Sequence, residues 1–327
     1  MTPRTDETTG ESDLPDEGSA RDFETAQQEL FEAVGVDVRS RFVDVETPRV
    51  RTHVFEAGPP DDGPPLLFVH PTDAFGAFCA PLLAHLDGVR TIGFDRPGYG
   101  LSDPFVYTEE NVRRTVVPSI VGVLDALGIE RVDLVGHSMG GYAGIAFALA
   151  HPARVRHLVL VGAVPTFPGT RPPLPVRMLT VPLLNRVIRW RQTPDEDGVL
   201  DVAEIFGERD AIQAYPAFVR AIAAHERDPE SARAGFSEFN ALISVRGWRP
   251  SVRLRAEELS ALRHPTTVIW GDHDPLGTPD EVRDALALLP EARVETVDAG
   301  HIPYLAHPER CAQLVLETRN ADATPVG

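Results

Sequence analysis

The stretch VDLVGHSMGGYAG, residues 132–144, places a short apolar run directly before a cluster of glycines. Glycines at such a junction let another group approach the backbone closely, either a phosphate bound by amides or a serine raised on a tight turn. Gly136, Ser138 and Gly140 follow the pattern G-x-S-x-G, which marks a nucleophilic serine when it lies between a strand and a helix. A phosphate loop of the G-x-G-x-x-G type needs glycine where Ser138 stands, and no G-K-[ST] follows. The stretch therefore predicts a nucleophilic serine, with glycines two positions away because side chains there would clash.

A serine hydroxyl is a weak nucleophile, so it needs a histidine as base and a carboxylate that orients this histidine. Two later segments carry such groups just after predicted strands. GDHDPL (271–276) ends the run that begins with TTVIW, and AGHIP (299–303) follows ARVETVD. The chain order of serine, then acid, then histidine is the order that this kind of serine turn requires.

Apolar strands and amphipathic helices alternate along most of the chain. We predict a short N-terminal helix, two alternating β-stretches, and then buried strands separated by helices at LLFVH, TIGFD, VDLVG, RHLVLVG and TTVIWG, followed by ARVETVD. Helices are expected near 76–86, from about Thr108, and from a capping box at Thr278–Glu281. Continuous apolar strands between helices indicate an α/β fold with a mostly parallel twisted sheet flanked by helices on both faces.

Residues 166–255 interrupt this alternation. Their entry is rich in proline (PTFPGTRPPLP), helical patterns dominate, and no clear strand is expected. We interpret them as a helical cap inserted over the carboxyl ends of the strands. The predicted organisation is a disordered acidic segment (1–20), a first core part (21–165), the cap, and a second core part (256–327).

With these motifs in this order, residues 40–320 resemble the α/β-hydrolase fold family, in its branch of esterases and lipases with a serine nucleophile. Members of that family carry an acid in a G-x-x-D after the penultimate strand and a histidine in a G-H after the last. The resemblance therefore implies a triad of Ser138, Asp274 and His301. Asp272 is the alternative acid, whereas Asp298 is expected to cap the backbone.

The resemblance also implies that the backbone amides of Met139 and Thr72 form an oxyanion hole. Many relatives carry His-Gly after the strand that LLFV matches, whereas this chain reads His70-Pro71-Thr72. Proline has no N–H and a φ near −65°, so the hole can use the amide of Thr72 but not that of position 71. His70 and His137 are expected to support the site.

Neighbouring polar residues have expected roles as well. Asp73 should face solvent or a cap residue, since a carboxylate beside a forming anion is unfavourable. The turn FDRPGYGLSD (94–103) resembles the family's turn after its fourth strand, so Asp95, Arg96 and Ser102 are expected to hold loops beneath the site. A different possible role for Arg96 is to bind a substrate carboxylate.

Composition limits the classes of partner. A net charge of −18 disfavours nucleic acid and anionic membranes. No apolar run approaches the ~18 residues that span a bilayer, the N-terminus has no signal core, and the two cysteines indicate no disulfide framework. We therefore expect a soluble cytoplasmic protein.

All 31 basic residues are arginine. A GC-rich genome would account for the missing lysine but not for the excess of acid, so we interpret the composition as adaptation to high salt, where counter-ions screen the charge.

These observations predict a serine hydrolase that cleaves an ester or a related small, largely apolar acyl substrate through an acyl-enzyme, without a metal or organic cofactor. Carbon–carbon bond hydrolases of the ring-cleavage type, cofactor-free perhydrolases and acyltransferases remain open alternatives, because they can use the same triad. A non-catalytic ligand-binding protein on the same fold is the alternative from another class. The sequence makes no prediction about the oligomeric state.

Overall fold

A twisted eight-stranded sheet forms the centre of the protein. The computed structural model describes residues 17–60, 63–162, 164–181, 194–290 and 292–321. Ten strands are found in these ranges: β1 Val38–Glu46, β2 Arg49–Ala57, β3 Leu66–Val69, β4 Thr91–Phe94, β5 Val132–His137, β6 Val155–Val161, β7 Ile243–Ser244, β8 Gly247–Trp248, β9 Thr266–Gly271 and β10 Ala292–Val297. The main sheet has the order β1-β2-β4-β3-β5-β6-β9-β10. β2 runs antiparallel to both neighbours, and every other pair in this sheet is parallel.

Helices cover both faces of this sheet. They are α1 Glu17–Ala33, α2 Ala80–Leu83, α3 Val112–Ala126, α4 Met139–Ala150, α5 Leu174–Met178, α6 Glu196–Ile205, α7 Arg209–Gln213, α8 Pro216–Arg227, α9 Pro229–Leu242, α10 Ala256–Ala261, α11 Arg283–Leu286, α12 Pro303–Ala306 and α13 Pro308–Arg319. Side chains alternate between the two faces of a strand. In β3, Leu67 and Val69 join the apolar core with α3 and α4, whereas Leu66 and Phe68 join the core with α1, α2 and α13. The predicted α/β architecture is confirmed.

The predicted N-terminal boundary is wrong by a few residues. Residues 17–20, predicted as part of a disordered segment, belong to α1, while residues 1–16 lie outside the described ranges. A tertiary contact accounts for the difference, because the Ser19 hydroxyl lies 3.0 Å from Asp228 Oδ1 at the start of α9. Phe23 and Leu30 are buried further along the same helix.

The described residues between β6 and β9 are mainly helical, and we call residues 166–255 the helical segment. The expectation that it holds no strand is wrong, because β7 and β8 form a small antiparallel hairpin in which Ile243 pairs with Trp248. Gly247, at φ +110°, permits the tight turn between them. Two-residue strands are too short to give a period-two pattern in the sequence.

Three helix starts also differ from the prediction. The stretch near 76–86 is a 3-10 turn at Gly76–Cys79 followed by the short α2, and α3 begins at Val112 rather than near Thr108. At the predicted capping box, the amide and the hydroxyl of Thr278 both donate to Glu281 Oε2, at 2.9 and 3.1 Å. Since the hydroxyl donates rather than accepts, only half of the box forms, and α11 begins later, at Arg283.

Among the described helices, none combines the length and the apolar character that crossing a bilayer requires.

Candidate active site

Ser138 occupies a sharp turn between β5 and α4. Its φ of 52° and ψ of −114° lie in a region that residues other than glycine rarely adopt. Close packing holds this conformation. A Cβ added to Gly136 would lie 2.4 Å from the carbonyl oxygen of Gly140, and one added to Gly140 would lie 1.9 Å from that of Val69. The two glycines are therefore required for the turn, as the sequence predicted, and the strain falls on the serine itself.

The structure brings Ser138, His301 and Asp274 together. Ser138 Oγ lies 2.9 Å from His301 Nε2, and His301 Nδ1 lies 2.8 Å from Asp274 Oδ2. The carboxylate can only accept, so Nδ1 carries the proton and Nε2 accepts from the serine hydroxyl. Asp274 Oδ1 accepts the N–H of Leu276 at 2.9 Å, which fixes the carboxylate plane. All three triad side chains are buried.

The other candidate acids lie away from the histidine. Asp272 is exposed on the loop after β9. Asp298 is also exposed, and its Oδ1 lies 3.1 Å from His273 Nε2, so the expectation that its side chain caps the backbone is wrong. The backbone oxygen of Asp298 instead accepts a hydrogen bond from His307. Among the described acids, geometry favours Asp274.

Charges around the imidazole favour its protonated form. Burial of the ring opposes protonation, but the Asp274 carboxylate and, more weakly, Glu208 outweigh burial, so the pKa of His301 is raised. Glu208 is a residue that sequence reasoning missed. It lies between α6 and α7, its Oε1 accepts the N–H of Ile302, and burial raises its pKa to about 7. The sequence gives no signal for it, because a glutamate at a helix boundary is normally solvated.

His137 lies behind the triad histidine, where it was predicted to support the site. Its Nε2 donates to the backbone oxygen of His301 at 2.9 Å, and Tyr304 donates its hydroxyl to Nδ1 at 2.9 Å. Burial and the neighbouring His301 lower the pKa of His137 well below its usual range. His137 is thus a neutral side chain that holds the backbone of His301 in place.

The loop after β3 is held by two donors that meet at one carbonyl. Pro71 O accepts His70 Nδ1 at 2.7 Å and Arg96 Nη2 at 2.9 Å. The backbone N–H of Arg96 in turn donates to His70 Nε2 at 2.9 Å. Because Pro71 O and the Thr72 N–H belong to one planar trans peptide, fixing the oxygen also fixes the opposite direction of the N–H. His70 and Arg96 therefore orient the amide that was predicted to bind the oxyanion.

A buried ion pair fixes Arg96 in turn. Its Nη1 and Nη2 lie 2.6 and 2.9 Å from the two carboxylate oxygens of Glu238 on α9, and the Tyr99 hydroxyl donates to Glu238 Oε2 at 2.5 Å. This arrangement does not favour the alternative in which Arg96 binds a substrate carboxylate, since both terminal nitrogens are engaged. Sequence reasoning missed Glu238 because a glutamate in an amphipathic helix is expected to face solvent.

Asp95 and Ser102 hold the loops beneath the site, as expected. Asp95 accepts the N–H of Gly76 at 2.6 Å, the N–H of Leu101 at 2.9 Å and His53 Nδ1 at 2.8 Å. The Ser102 hydroxyl donates to the backbone oxygen of Asp95 at 2.7 Å.

The two predicted oxyanion donors lie on adjoining segments. Met139 is the first residue of α4, where a backbone N–H has no acceptor within the helix. The space around Gly140, the next residue, is closed by the backbone oxygens of Val69 and His70, so the loop carrying Thr72 starts against the N-terminus of α4. Asp73 is exposed and lies against α9, as expected, because a Cβ on Gly235 would meet its Oδ1 at 2.2 Å.

Aromatic rings from the helical segment approach the triad. The Phe206 ring centroid lies 5.6 Å from that of His301, and Phe218 lies 4.8 Å from Phe78, whose ring stacks over His137 at 6.1 Å. These contacts give the site apolar walls. Trp190, another aromatic residue of this segment, lies outside the described residues. No group of three or more histidine, cysteine or acidic side chains in the described ranges is arranged to hold a metal ion.

Comparisons with known proteins agree with this architecture. Residues 64–308 match the family described as alpha/beta hydrolase fold. The chain is 32% identical over 281 residues to a 2-hydroxymuconate semialdehyde hydrolase of Pseudomonas sp. (strain CF600), covering 81% of this chain and 89% of the relative. It is 29% identical over 252 residues to a 2-hydroxy-6-oxononadienedioate/2-hydroxy-6-oxononatrienedioate hydrolase of Pseudomonas putida, covering 72% and 78%.

Among solved structures, a carboxylesterase from Bacillus subtilis superposes with a TM-score of 0.72 at 23% identity, covering 93% of this chain and 99% of the other. At that identity the likeness concerns the fold alone. The match over residues 64–308 and the 32% identity to a relative covered over most of its length carry the conclusion: the chain belongs to the α/β-hydrolase fold family and is a hydrolase.

Proposed function

We propose that the protein hydrolyses a bond next to a carbonyl group, with Ser138 as nucleophile, His301 as base and Asp274 as the acid that orients the imidazole. The observation that carries this proposal is the unbroken contact from Ser138 Oγ through His301 to Asp274, at 2.9 and 2.8 Å. A protein that only binds a ligand has no need of this alignment on a strained turn.

The proposed reaction proceeds in two halves. As Ser138 Oγ bonds to the carbonyl carbon, His301 Nε2 takes the hydroxyl proton, and Asp274 stabilises the resulting imidazolium. The N–H groups of Met139 and Thr72 bind the oxyanion. The leaving group departs with the proton from Nε2, and a water deprotonated by His301 then attacks the acyl-enzyme and releases Ser138.

We infer that the bond is a carbon–carbon bond. The named substrates of the relatives, 2-hydroxymuconate semialdehyde and 2-hydroxy-6-oxononadienedioate, have continuous carbon chains without an ester linkage. Hydrolysis of such a compound must break a carbon–carbon bond beside its carbonyl group. In the reaction above, the proton from His301 then goes to the carbon of the leaving fragment.

Ester cleavage is the second candidate, and the charge of the site supports it. The relatives' named substrates are carboxylates, which would need a cationic partner. In the described ranges, both terminal nitrogens of Arg96 contact Glu238, and the acids beside His301 are Asp274 and Glu208. These surroundings favour an uncharged acyl compound.

A substrate panel separates the candidates. Wild type, Ser138→Ala and His301→Ala are assayed with a ring-cleavage dienone acid and with p-nitrophenyl esters of increasing acyl length. We expect dienone turnover in the wild type to exceed ester turnover and to disappear in both variants. Ester turnover alone would support the second candidate, and a gain in product with added peroxide or alcohol would indicate a perhydrolase or an acyltransferase. A folded protein that turns over none of these and does not react with a fluorophosphonate would be a ligand-binding protein.

We further propose that the protein is adapted to high salt, on the basis of the excess of acid that gives a net charge of −18. Melting temperature should then rise from dilute buffer to molar KCl. A protein that is most stable in dilute buffer would contradict this.

A further inference from the structure

A second carboxyl group lies buried beside the triad histidine, on the helical segment. Glu208 is only 1% exposed, in the turn between α6 and α7. Its Oε1 accepts the N–H of Ile302, whereas its Oε2 is buried and has no hydrogen-bond partner among the described residues. Burying a carboxyl group with one oxygen unsatisfied is costly, so its position calls for a reason beyond packing.

The same turn accepts hydrogen bonds from two successive backbone N–H groups, those of His301 and Ile302. The N–H of His301 donates to Phe206 O at 3.1 Å, and the next N–H, of Ile302, donates to Glu208. The turn packs closely against the backbone before His301, because a Cβ on Gly300 would lie 2.3 Å from Phe206 O and 2.8 Å from Glu208 Oε1. Residues 206–208 therefore determine where the imidazole lies relative to Ser138.

The charged and titratable groups that face Glu208 come from three elements. His301 and Asp274 act on it from the loops after β10 and β9, and Tyr304 on α12 lies close enough to interact with it. On its own side, Arg209 turns towards Asp201 and Glu204 at the surface. Among the described residues, the imidazolium of His301 is therefore the cation that acts on this carboxyl group.

We propose that Glu208 is a positioning residue for His301, whose side chain holds the turn that carries the imidazole and whose negative charge strengthens the imidazole as a base. This inference rests on the proposed function. The carboxylates of Glu208 and Asp274 act on the same imidazole ring, but Glu208 belongs to the helical segment and Asp274 to the core. The position of the helical segment therefore affects the basicity of His301.

The pKa shifts of both groups agree with this geometry. Burial raises the pKa of Glu208 to about 7, and the nearby His301 partly offsets the rise. Glu208 is also one of the groups that raise the pKa of His301. Since each charge favours the opposite charge on its neighbour, the protonation of Glu208 and that of His301 depend on each other.

The test uses the rate at which a fluorophosphonate labels Ser138, measured from pH 5 to 9, because this rate reports the base without a known substrate. Glu208→Gln keeps an acceptor for the Ile302 N–H but loses the charge. We expect the acid limb of its profile to move to lower pH by about one unit, since the loss of a nearby carboxylate lowers the pKa of His301. Glu208→Asp retains the charge and should return most of the way to the wild-type profile. Glu204→Gln, an exposed change in the same region, should match the wild type.

An unchanged acid limb in folded Glu208→Gln would overturn the proposal, and so would equal shifts in Glu208→Gln and Glu208→Asp. If Glu208→Gln does not fold, ¹⁵N NMR titration of the His301 ring in the wild type decides the matter. Two coupled steps support the proposal, and a single step overturns it. Absence of labelling in the wild type would instead count against the proposed function, and the NMR titration would still test Glu208.

Discussion

The buried pair of Arg96 and Glu238 links the helical segment to the loop that carries Thr72, so Glu238→Gln should lower both stability and turnover. The wild-type carboxylate accepts hydrogen bonds from two Arg96 nitrogens at 2.6 and 2.9 Å and from the Tyr99 hydroxyl at 2.5 Å. Arg96 is 3% exposed. In Glu238→Gln the Arg96 guanidinium keeps its positive charge in the protein interior but loses its counter-ion.

The size of the effect follows from these contacts. Removing one member of a buried ion pair costs about 3–5 kcal/mol. The effect on turnover arises separately, because Arg96 Nη2 also holds Pro71 O and hence the direction of the Thr72 N–H. Deleting an oxyanion donor costs roughly 10²–10³ in kcat, so misdirecting one should cost about tenfold or more.

Urea unfolding and steady-state turnover are measured on Glu238→Gln, Arg96→Met and the double variant Arg96→Met/Glu238→Leu. Replacing a buried pair by apolar side chains is often neutral, so the double variant should regain most of the lost stability. Its turnover should stay low, because Pro71 O still lacks its guanidinium donor. Wild-type turnover in a folded double variant would refute the positioning role, and wild-type stability of Glu238→Gln would refute the energetic argument.

Three further predictions concern the acid, the serine turn and pH. Asp274→Asn should lower kcat by about 10⁴ because it holds the wrong imidazole tautomer, whereas Asp272→Asn should stay near wild type; the reverse order in steady-state assays would move the acid assignment. Gly140→Ala should unfold the protein or fail to fold by circular dichroism, since its Cβ would lie 1.9 Å from Val69 O, and a stable active variant would contradict the packing argument. Burial raises the pKa of Glu226 to about 8, so its contribution to stability is present below its unfolded pKa of about 4.5 and is lost as pH rises through 8. Glu226→Gln should therefore unfold like wild type at pH 4 but be at least about 1 kcal/mol more stable than wild type at pH 9. A variant whose urea midpoint equals that of wild type at both pH values would contradict this.

The serine turn and its two partners could be predicted because each has a local signal. Gly136 and Gly140 are required by the backbone itself, and Asp274 and His301 follow the parallel strands β9 and β10, whose carboxyl ends meet at one edge of the sheet. These signals depend on residue types at fixed short spacings, which can be recognised in a sequence.

Glu208 and Glu238 could not be predicted, since their roles depend on which surface of the helical segment faces the core. Both are glutamates in or next to helices of that segment, where a carboxylate is expected to face solvent. The pairing of Asp298 with His273 could not be predicted either, because two loops that parallel strands bring together share no sequence pattern.

The most direct test of the account is whether Ser138 is the nucleophile. Folded protein is treated with a fluorophosphonate, and the adduct is located by peptide mass spectrometry in wild type, Ser138→Ala and Ser119→Ala, a buried serine on α3 that serves as control. We predict one adduct, on Ser138, in wild type and in Ser119→Ala, and none in Ser138→Ala. An adduct that persists in Ser138→Ala, or a folded wild type that is never labelled, would contradict it.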